Sequence, residues 1–219
     1  FHDSDDMWLP GKLERQVALL NEMPPEVGVV TGPKILYGKN SAGQYGPGLV
    51  SCTPTPGRQI TLEEDQVRRT FLENRLSMPS SLFRRNSFPE QVWFDPRARA
   101  NEDWEFALRL VKHTKIYEDD EPVLLTFTSG DSISRNRRKK LSGHVLVLKK
   151  NRDFAEKYPT LYGRSQYIFG RELWKIGKKR PGWQFMLAGL RAAPVDVLKS
   201  IFHTAKRLGL RTVRAVLTR

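Results

Sequence analysis

The 219-residue sequence contains a single cysteine, Cys52. That excludes an internal disulfide and fits a reducing compartment better than a cross-linked secreted scaffold. Long apolar runs are also missing. Stretches such as Val145-Leu146-Val147-Leu148 fall far short of the ~18 residues that a membrane span requires. Tandem repeats and low-complexity segments are absent apart from the basic run Arg135–Lys140. The four histidines, His2, His113, His144 and His203, are scattered and have no metal-ligand spacing. What is present is a globular composition: 39% hydrophobic and 10% aromatic residues, in a chain long enough to bury a core without a staple.

The charge is unevenly placed. The net charge is +13, from 37 basic and 24 acidic residues. Residues 1–134 carry 15 basic and 20 acidic side chains, a net of −5, whereas residues 135–219 carry 22 and 4, a net of +18. A mildly acidic module is joined to a strongly basic one, and a uniformly basic nucleic-acid binder does not divide this way.

The acidic part alternates between strand and helix patterns. Leu13, Val17 and Leu20 recur at helical spacing after Pro10 and predict a helix with an apolar face. The β-branched run Val27–Thr31 predicts a strand, continued by Ile35–Tyr37 after a turn at Gly32-Pro33. Residues 38–57, rich in Gly and Pro, read as a long loop. Thr61-Leu62-Glu63-Glu64 reads as a capping box opening a helix to about Glu73. Further strands are expected at 80–84, 115–117 and 123–128. Phe94-Asp95-Pro96 marks a turn, and Asn101-Glu102-Asp103 caps a helix with Trp104, Leu108 and Val111 on its apolar face. The pattern implies an α/β layer over residues 1–136. Residues 137–219 read as a basic α-helical region, with helices at about 138–157, 160–178, 181–192 and 194–208.

Three motifs bear on chemistry. Asp3-Ser4-Asp5-Asp6 sets carboxylates at i and i+2 at a strand end. They suit a hard cation such as Mg²⁺ or Mn²⁺ shared with substrate phosphates, or simply enrich a helix start in acid. An EF-hand is excluded, because Trp8 stands where that loop needs glycine. Asn101-Glu102-Asp103-Trp104-Glu105, at a helix start, offers Asp103 as a general base for a hydroxyl. Its plainer reading is capping, with Glu105–Arg109 as an i,i+4 pair. Ser129-Gly130-Asp131-Ser132-Ile133-Ser134-Arg135 either wraps a diphosphate or links two domains. Gly43, Gly46 and Gly48 make no dinucleotide fingerprint, because no apolar strand runs directly into them and no helix follows. Cys52, with no histidine nearby in sequence, carries no signal of a nucleophile.

Together, these strings resemble family 2 glycosyltransferases with the GT-A fold. Phe1-His2-Asp3-Ser4-Asp5-Asp6-x-Trp8-Leu9-Pro10-x-Lys12-Leu13-Glu14-x-Gln16 is similar to that family's strand ending in Asp-x-Asp and the helix after it. Phe94-Asp95 followed by Glu102-Asp103-Trp104 and Arg109-Leu110 is similar to its second signature, and Ser129–Ser134 to the loop closing the catalytic domain. The resemblance spans residues 1 to about 150. It implies Asp5 and Asp3 as ligands of Mg²⁺ or Mn²⁺, Asp103 as catalytic base and Glu102 beside it. Asp3, Asp6, Trp104, Arg109, Ser132, Ser134 and Arg135 would contact the substrates. The implied reaction is inverting transfer of a sugar from a nucleoside-diphosphate sugar to a saccharide or lipid-linked hydroxyl acceptor.

There are departures from the family. Gln91–Asp95 replaces a common Gly-Gly turn, and the absence of Gln-x-x-Arg-Trp implies non-processive transfer. The Pro-Thr-Tyr-Asn strand and the Asp-Asp-Gly-Ser turn of the nucleotide-binding half do not occur. Phe1–Asp6 reads as a strand end running into a loop, where a domain rarely begins. The expectation is therefore a C-terminal part of the catalytic domain, inactive alone and with an open sheet edge. The basic helices imply cytoplasmic placement at the inner face of a membrane, on anionic lipid, or a solvated face packed on the catalytic domain. A nucleic-acid-binding module, or a decayed transferase acting as a non-catalytic interaction protein, is the alternative. The nucleic-acid reading leaves the acidic motifs unexplained, since carboxylates repel phosphate.

Overall fold

The structure is a computed structural model and describes residues 1–55, 57–89, 94–98, 101–127 and 137–202. It is mixed α/β and divides into two compact units, residues 1–143 and 144–219, parting inside a helix after Gly143. The first unit runs β1 (Asp6–Trp8), α1 (Lys12–Glu22), β2 (Val27–Thr31), β3 (Lys34–Lys39), β4 (Tyr45–Thr53), α2 (Gln66–Leu72), β5 (Leu82–Phe83), α3 (Glu102–Leu110), β6 (Lys115–Glu118) and β7 (Leu124–Phe127), and enters α4 (Arg137–Lys150). Short 3₁₀ turns stand at Met78–Ser80 and Arg85–Ser87.

Two sheets organise this unit, in the orders β1-β7-β3-β4 and β5-β2-β6. The same two stretches of chain run side by side through both. β2 is parallel to β6 and β3 is parallel to β7. Between the sheets the pairing is carried by the Asp119 N–H to Thr31 O (2.8 Å) and the Val123 N–H to Pro33 O (2.9 Å). The crossing is tight at Gly32, where a Cβ would lie 2.9 Å from the Glu121 carbonyl oxygen. Only glycine fits so close to a neighbouring backbone. The core lies between α3 and the second sheet: Val29, Leu76, Met78, Phe88, Phe106, Ala107, Leu110, Val111 and Ile116 are buried together. The Phe106 ring meets Phe88 edge-on at 5.1 Å.

Four sequence-based expectations need correction. The apolar face read on α1 is buried at Leu20 but not at Leu13 and Val17, which are 45% and 47% exposed; Lys12 and Gln16 are buried in their place. The helix is oriented by long-range hydrogen bonds to its polar residues, described below, rather than by the apolar pattern. Residues 38–57 are not a long loop. β4 pairs antiparallel with β3 from Lys34↔Thr53 to Tyr37↔Val50, then shifts register to Lys39↔Tyr45. The glycines that suggested a loop instead serve the hairpin, with Gly43 in the turn (φ 79°) and Gly48 inside the strand (φ 73°). α2 starts at Gln66, later than the capping box implies. Glu64 accepts the Thr61 N–H at 2.9 Å, but Asp65 is the cap and accepts from Arg68 N–H at 2.9 Å. Finally, the helix expected over 138–157 is broken at Asn151, whose side chain donates to the Val147 carbonyl (2.9 Å) while its own carbonyl accepts from Phe154.

The second unit is helical. After α4 come α5 (Asp153–Lys157), α6 (Pro159–Lys175) and α7 (Lys179–Ala192), then a helix over 194–202. Gly177, at φ 86°, turns the chain between α6 and α7, at the corner expected there. The two helices run back past each other with glycine against glycine. A Cβ on Gly189 would sit 2.4 Å from Gly163 O, and one on Gly170 would sit 2.6 Å from Gly182 O. Beside this seam Phe169 packs edge-on to Phe185 (4.8 Å) and under the His144 ring (5.3 Å). Burial lowers the His144 pKa to about 4, so the ring is neutral at physiological pH. No helix among the described residues is long and apolar enough to cross a membrane.

Candidate active site

The first acidic motif is held by its neighbours along the chain. β1 pairs antiparallel with β7, with Asp6 opposite Thr126. The Asp6 N–H donates back to Asp3 O (3.2 Å) and the His2 ring nitrogen donates to Asp6 O (2.9 Å). Asp3, Asp5 and Asp6 therefore share one tight turn at the start of β1. Phe1 anchors the turn edge-on against Phe83 (6.0 Å) and Phe94 (5.3 Å).

The second motif opens α3. Glu102, Asp103 and Glu105 all lie in its first turn, where free backbone N–H groups and the helix dipole favour carboxylates. Tertiary packing joins the motifs. Asp103 feels the charge of Asp3, and Lys34, at the start of β3, lies within electrostatic reach of both Asp6 and Asp103. Asp103 thus lies within electrostatic reach of Glu102, Asp3 and Lys34, and Asp6 within reach of Asp3, Asp5 and Lys34.

Asp103 is the perturbed member. Burial raises its pKa to about 6, and the neighbouring charges of Glu102 and Asp3 act in the same direction. Lys34 and a hydrogen bond from the Met78 backbone N–H oppose the rise. Asp6 is also shifted upward, first by burial, with Asp3 and Asp5 adding to it and Lys34 again opposing. A carboxyl group tuned in this way, close to neutrality and fixed by a backbone donor, is suited to accept a proton from a hydroxyl.

The 3₁₀ turn Met78–Ser80 ties the two motifs together. Its Met78 N–H serves Asp103, its Pro79 carbonyl accepts from the Trp8 indole (3.1 Å), and its Ser80 carbonyl accepts from Gln16 (2.8 Å). Gln16 in turn accepts from Lys12 Nζ at 2.8 Å, and that ammonium stands 4.4 Å from the Trp8 ring. Burial pulls the Lys12 pKa down to about 8. Trp8, Lys12 and Gln16, spaced by four, therefore brace the turn that holds the candidate base. The arrangement explains why α1 buries polar residues.

Other expected site residues are placed elsewhere. The Trp104 indole donates to Thr70 O (2.8 Å) and its ring leans on Phe71. Arg109 forks onto Glu105 at 2.9 and 3.1 Å and lies over Phe88, which is the plain i,i+4 pairing. Six residues further along α3 than Asp103, it stands about 9 Å away along the helix axis. Ser132, Ser134 and Arg135 lie outside the described residues. Among the described residues, no group of three or more His, Cys, Asp or Glu side chains is set to hold a metal ion. The donors at Asp3 and Asp5 are exposed hard oxygens, chemically suited to Mg²⁺ or Mn²⁺ that takes its remaining ligands from water and phosphate.

Sequence reasoning missed Lys34 and the Met78 turn. A lysine after Gly-Pro carries no local signal, and a backbone donor carries none at all. Compared with protein-family models and with curated proteins, the sequence has no match.

Proposed function

We propose that residues 1–143 form part of the catalytic domain of an inverting, metal-dependent, non-processive glycosyltransferase. It moves a sugar from a nucleoside-diphosphate sugar to a hydroxyl of a saccharide or lipid-linked acceptor. The observation that supports this reading is that Asp103 lies within electrostatic reach of Asp3, a hundred residues away in sequence, with Lys34 acting on both Asp103 and Asp6.

The residues divide the work. Asp103, ionised above about pH 6, accepts the acceptor's hydroxyl proton as that oxygen attacks the anomeric carbon. The new carbon–oxygen bond forms on the face opposite the departing diphosphate, so the anomeric centre inverts. Burial, with the charge of Glu102 added to it, keeps Asp103 more basic than an ordinary carboxylate, and Lys34 offsets part of that rise. Asp5 and Asp3 would hold Mg²⁺ or Mn²⁺, which when bound supplies charge neutralisation at the diphosphate leaving group. Trp8, Lys12 and Gln16 keep the Met78 turn, and through it Asp103, in place.

Titration with Mn²⁺, followed by electron paramagnetic resonance in the presence of UDP or GDP, tests the metal assignment. Free Mn²⁺ signal should be lost on adding the wild-type chain and recovered at least about tenfold less in affinity with Asp5→Asn or Asp3→Asn, as expected for removing a carboxylate ligand. Asp103→Asn should bind Mn²⁺ as the wild type does. Equal affinity in all variants, or no uptake by any, would overturn the reading.

A further inference from the structure

Among the described residues, the second unit exposes an apolar surface. α6 and α7 meet through Gly163, Gly170, Gly182 and Gly189, and several of their large side chains are left exposed. Trp183 is 55% exposed, and Trp174, Leu187 and Leu190 are exposed beside it. With Tyr167, Met186 and Ile201 they line an open groove of about 550 Å³. Val195, Leu198 and Phe202, on the helix over 194–202, extend the exposed apolar set, with Phe202 72% exposed. Monomeric proteins rarely leave so many large apolar side chains in water without a partner for them.

The groove's charged border indicates the partner. Arg171 and Lys175 line it, and Lys179 stands 5.8 Å over the Trp174 ring. Lys178, Arg180, Arg191 and Lys199 are exposed on the same unit. Between residues 164 and 202 the acidic side chains are Glu172 and Asp196, and Glu172 is engaged by Lys175. Indole and aliphatic groups bordered by Lys and Arg fit the interface of an anionic bilayer. There the apolar groups enter the headgroup boundary and the cations meet lipid phosphates. A second copy of the chain fits poorly, since like-with-like pairing sets one basic border against another.

We infer that the groove between α6, α7 and the 194–202 helix is a membrane-docking face that seats residues 144–202 on an anionic phospholipid surface. The inference does not depend on the transferase reading.

Flotation with vesicles in a density gradient tests it, since bound protein rises and aggregated protein sinks. The full 219-residue chain should float with vesicles containing about 30% phosphatidylglycerol and stay down with pure phosphatidylcholine. Flotation should fall several-fold as salt is raised from about 0.05 M to about 0.5 M. Lys179→Glu combined with Arg180→Glu should weaken flotation at least about tenfold, because each surface charge contributes on the order of a few-fold in affinity. Trp183→Ser combined with Leu187→Ser should do the same, with an unchanged far-ultraviolet circular dichroism spectrum in both variants. The Trp fluorescence of the bound wild type should shift to the blue. Equal flotation with neutral lipid, no flotation at all, variants that float like the wild type, or concentration-dependent dimerisation abolished by Trp183→Ser in place of lipid binding would each overturn it.

Discussion

The two units solve the burial problem in opposite ways. Residues 1–143 bury polar and charged groups and satisfy them over long sequence distances. Gln66 donates to Ile116 O and accepts its N–H, both at 2.8 Å, and Arg75 forks onto Glu118 with side chains 2% and 1% exposed. Residues 144–202 bury small and aromatic groups along a glycine seam and leave their cations outside. One unit therefore holds the perturbed carboxylates, and the other presents apolar and basic side chains to water. The comparison shows that function is sought in different places: in the first unit where a buried charge is costly, in the second where an exposed apolar group is.

Cutting the buried pair should have the largest effect. Glu118→Ala strips the buried Arg75 guanidinium of its buried carboxylate, leaving it the exposed Glu73 (3.4 Å) and the Arg58 carbonyl (2.7 Å), removes the acceptor of the Ile60 N–H, and should cost about 3–5 kcal/mol in denaturant unfolding. The matching cut in the helical unit, Glu172→Ala, removes a half-buried partner of the exposed Lys175 and should cost below about 0.5 kcal/mol. Equal losses at the two sites would erase the contrast. Next is the glycine seam. Gly189→Ala sets a methyl group 2.4 Å from Gly163 O, so the helices must separate, at a cost of about 1–3 kcal/mol. A neutral outcome would show that the seam is looser than drawn.

At the acidic motifs the effect expected is a gain. The folded pKa of Asp103, about 6, lies above its ordinary 3.8, so the folded state holds the proton more tightly. The stability this provides is complete below about pH 4 and lost as pH rises through 6. Asp103→Asn should therefore stabilise the chain by up to about 3 kcal/mol at pH 8 and leave it unchanged near pH 4. Carbon-13 NMR of the Asp103 carboxyl should move below a midpoint of about 6 in Glu102→Gln and above it in Lys34→Met. A pH-independent effect of Asp103→Asn would show that the carboxyl is not perturbed.

The α/β alternation was legible because strand and helix periodicities are local. β2, β3, β6, β7 and α3 all lie where their residue patterns place them. β4 was not legible, since its glycines and prolines read as loop until β3 lies beside them to take up its hydrogen bonds. In the candidate site, the carboxylates were visible as strings at element ends. The groups that tune them were not. Lys34 and the Met78 N–H act through neighbours about 30 to 70 residues away in sequence, with nothing nearby to mark them.

By itself, the sequence determined most kinds of element, the carboxylates opening α3 and the division of charge between two regions. All of these follow from residue types and spacings within a few turns of chain. It placed the acidic motif at the end of a strand, whereas residues 1–3 form none and the motif leads into β1. Only the tertiary structure decided that α1 buries Lys12 and Gln16 rather than Leu13 and Val17, that Asp103 lies within electrostatic reach of Asp3, and that Trp183 and Leu187 face water. Burial and pKa depend on which distant groups displace water from a side chain, and no local pattern encodes that.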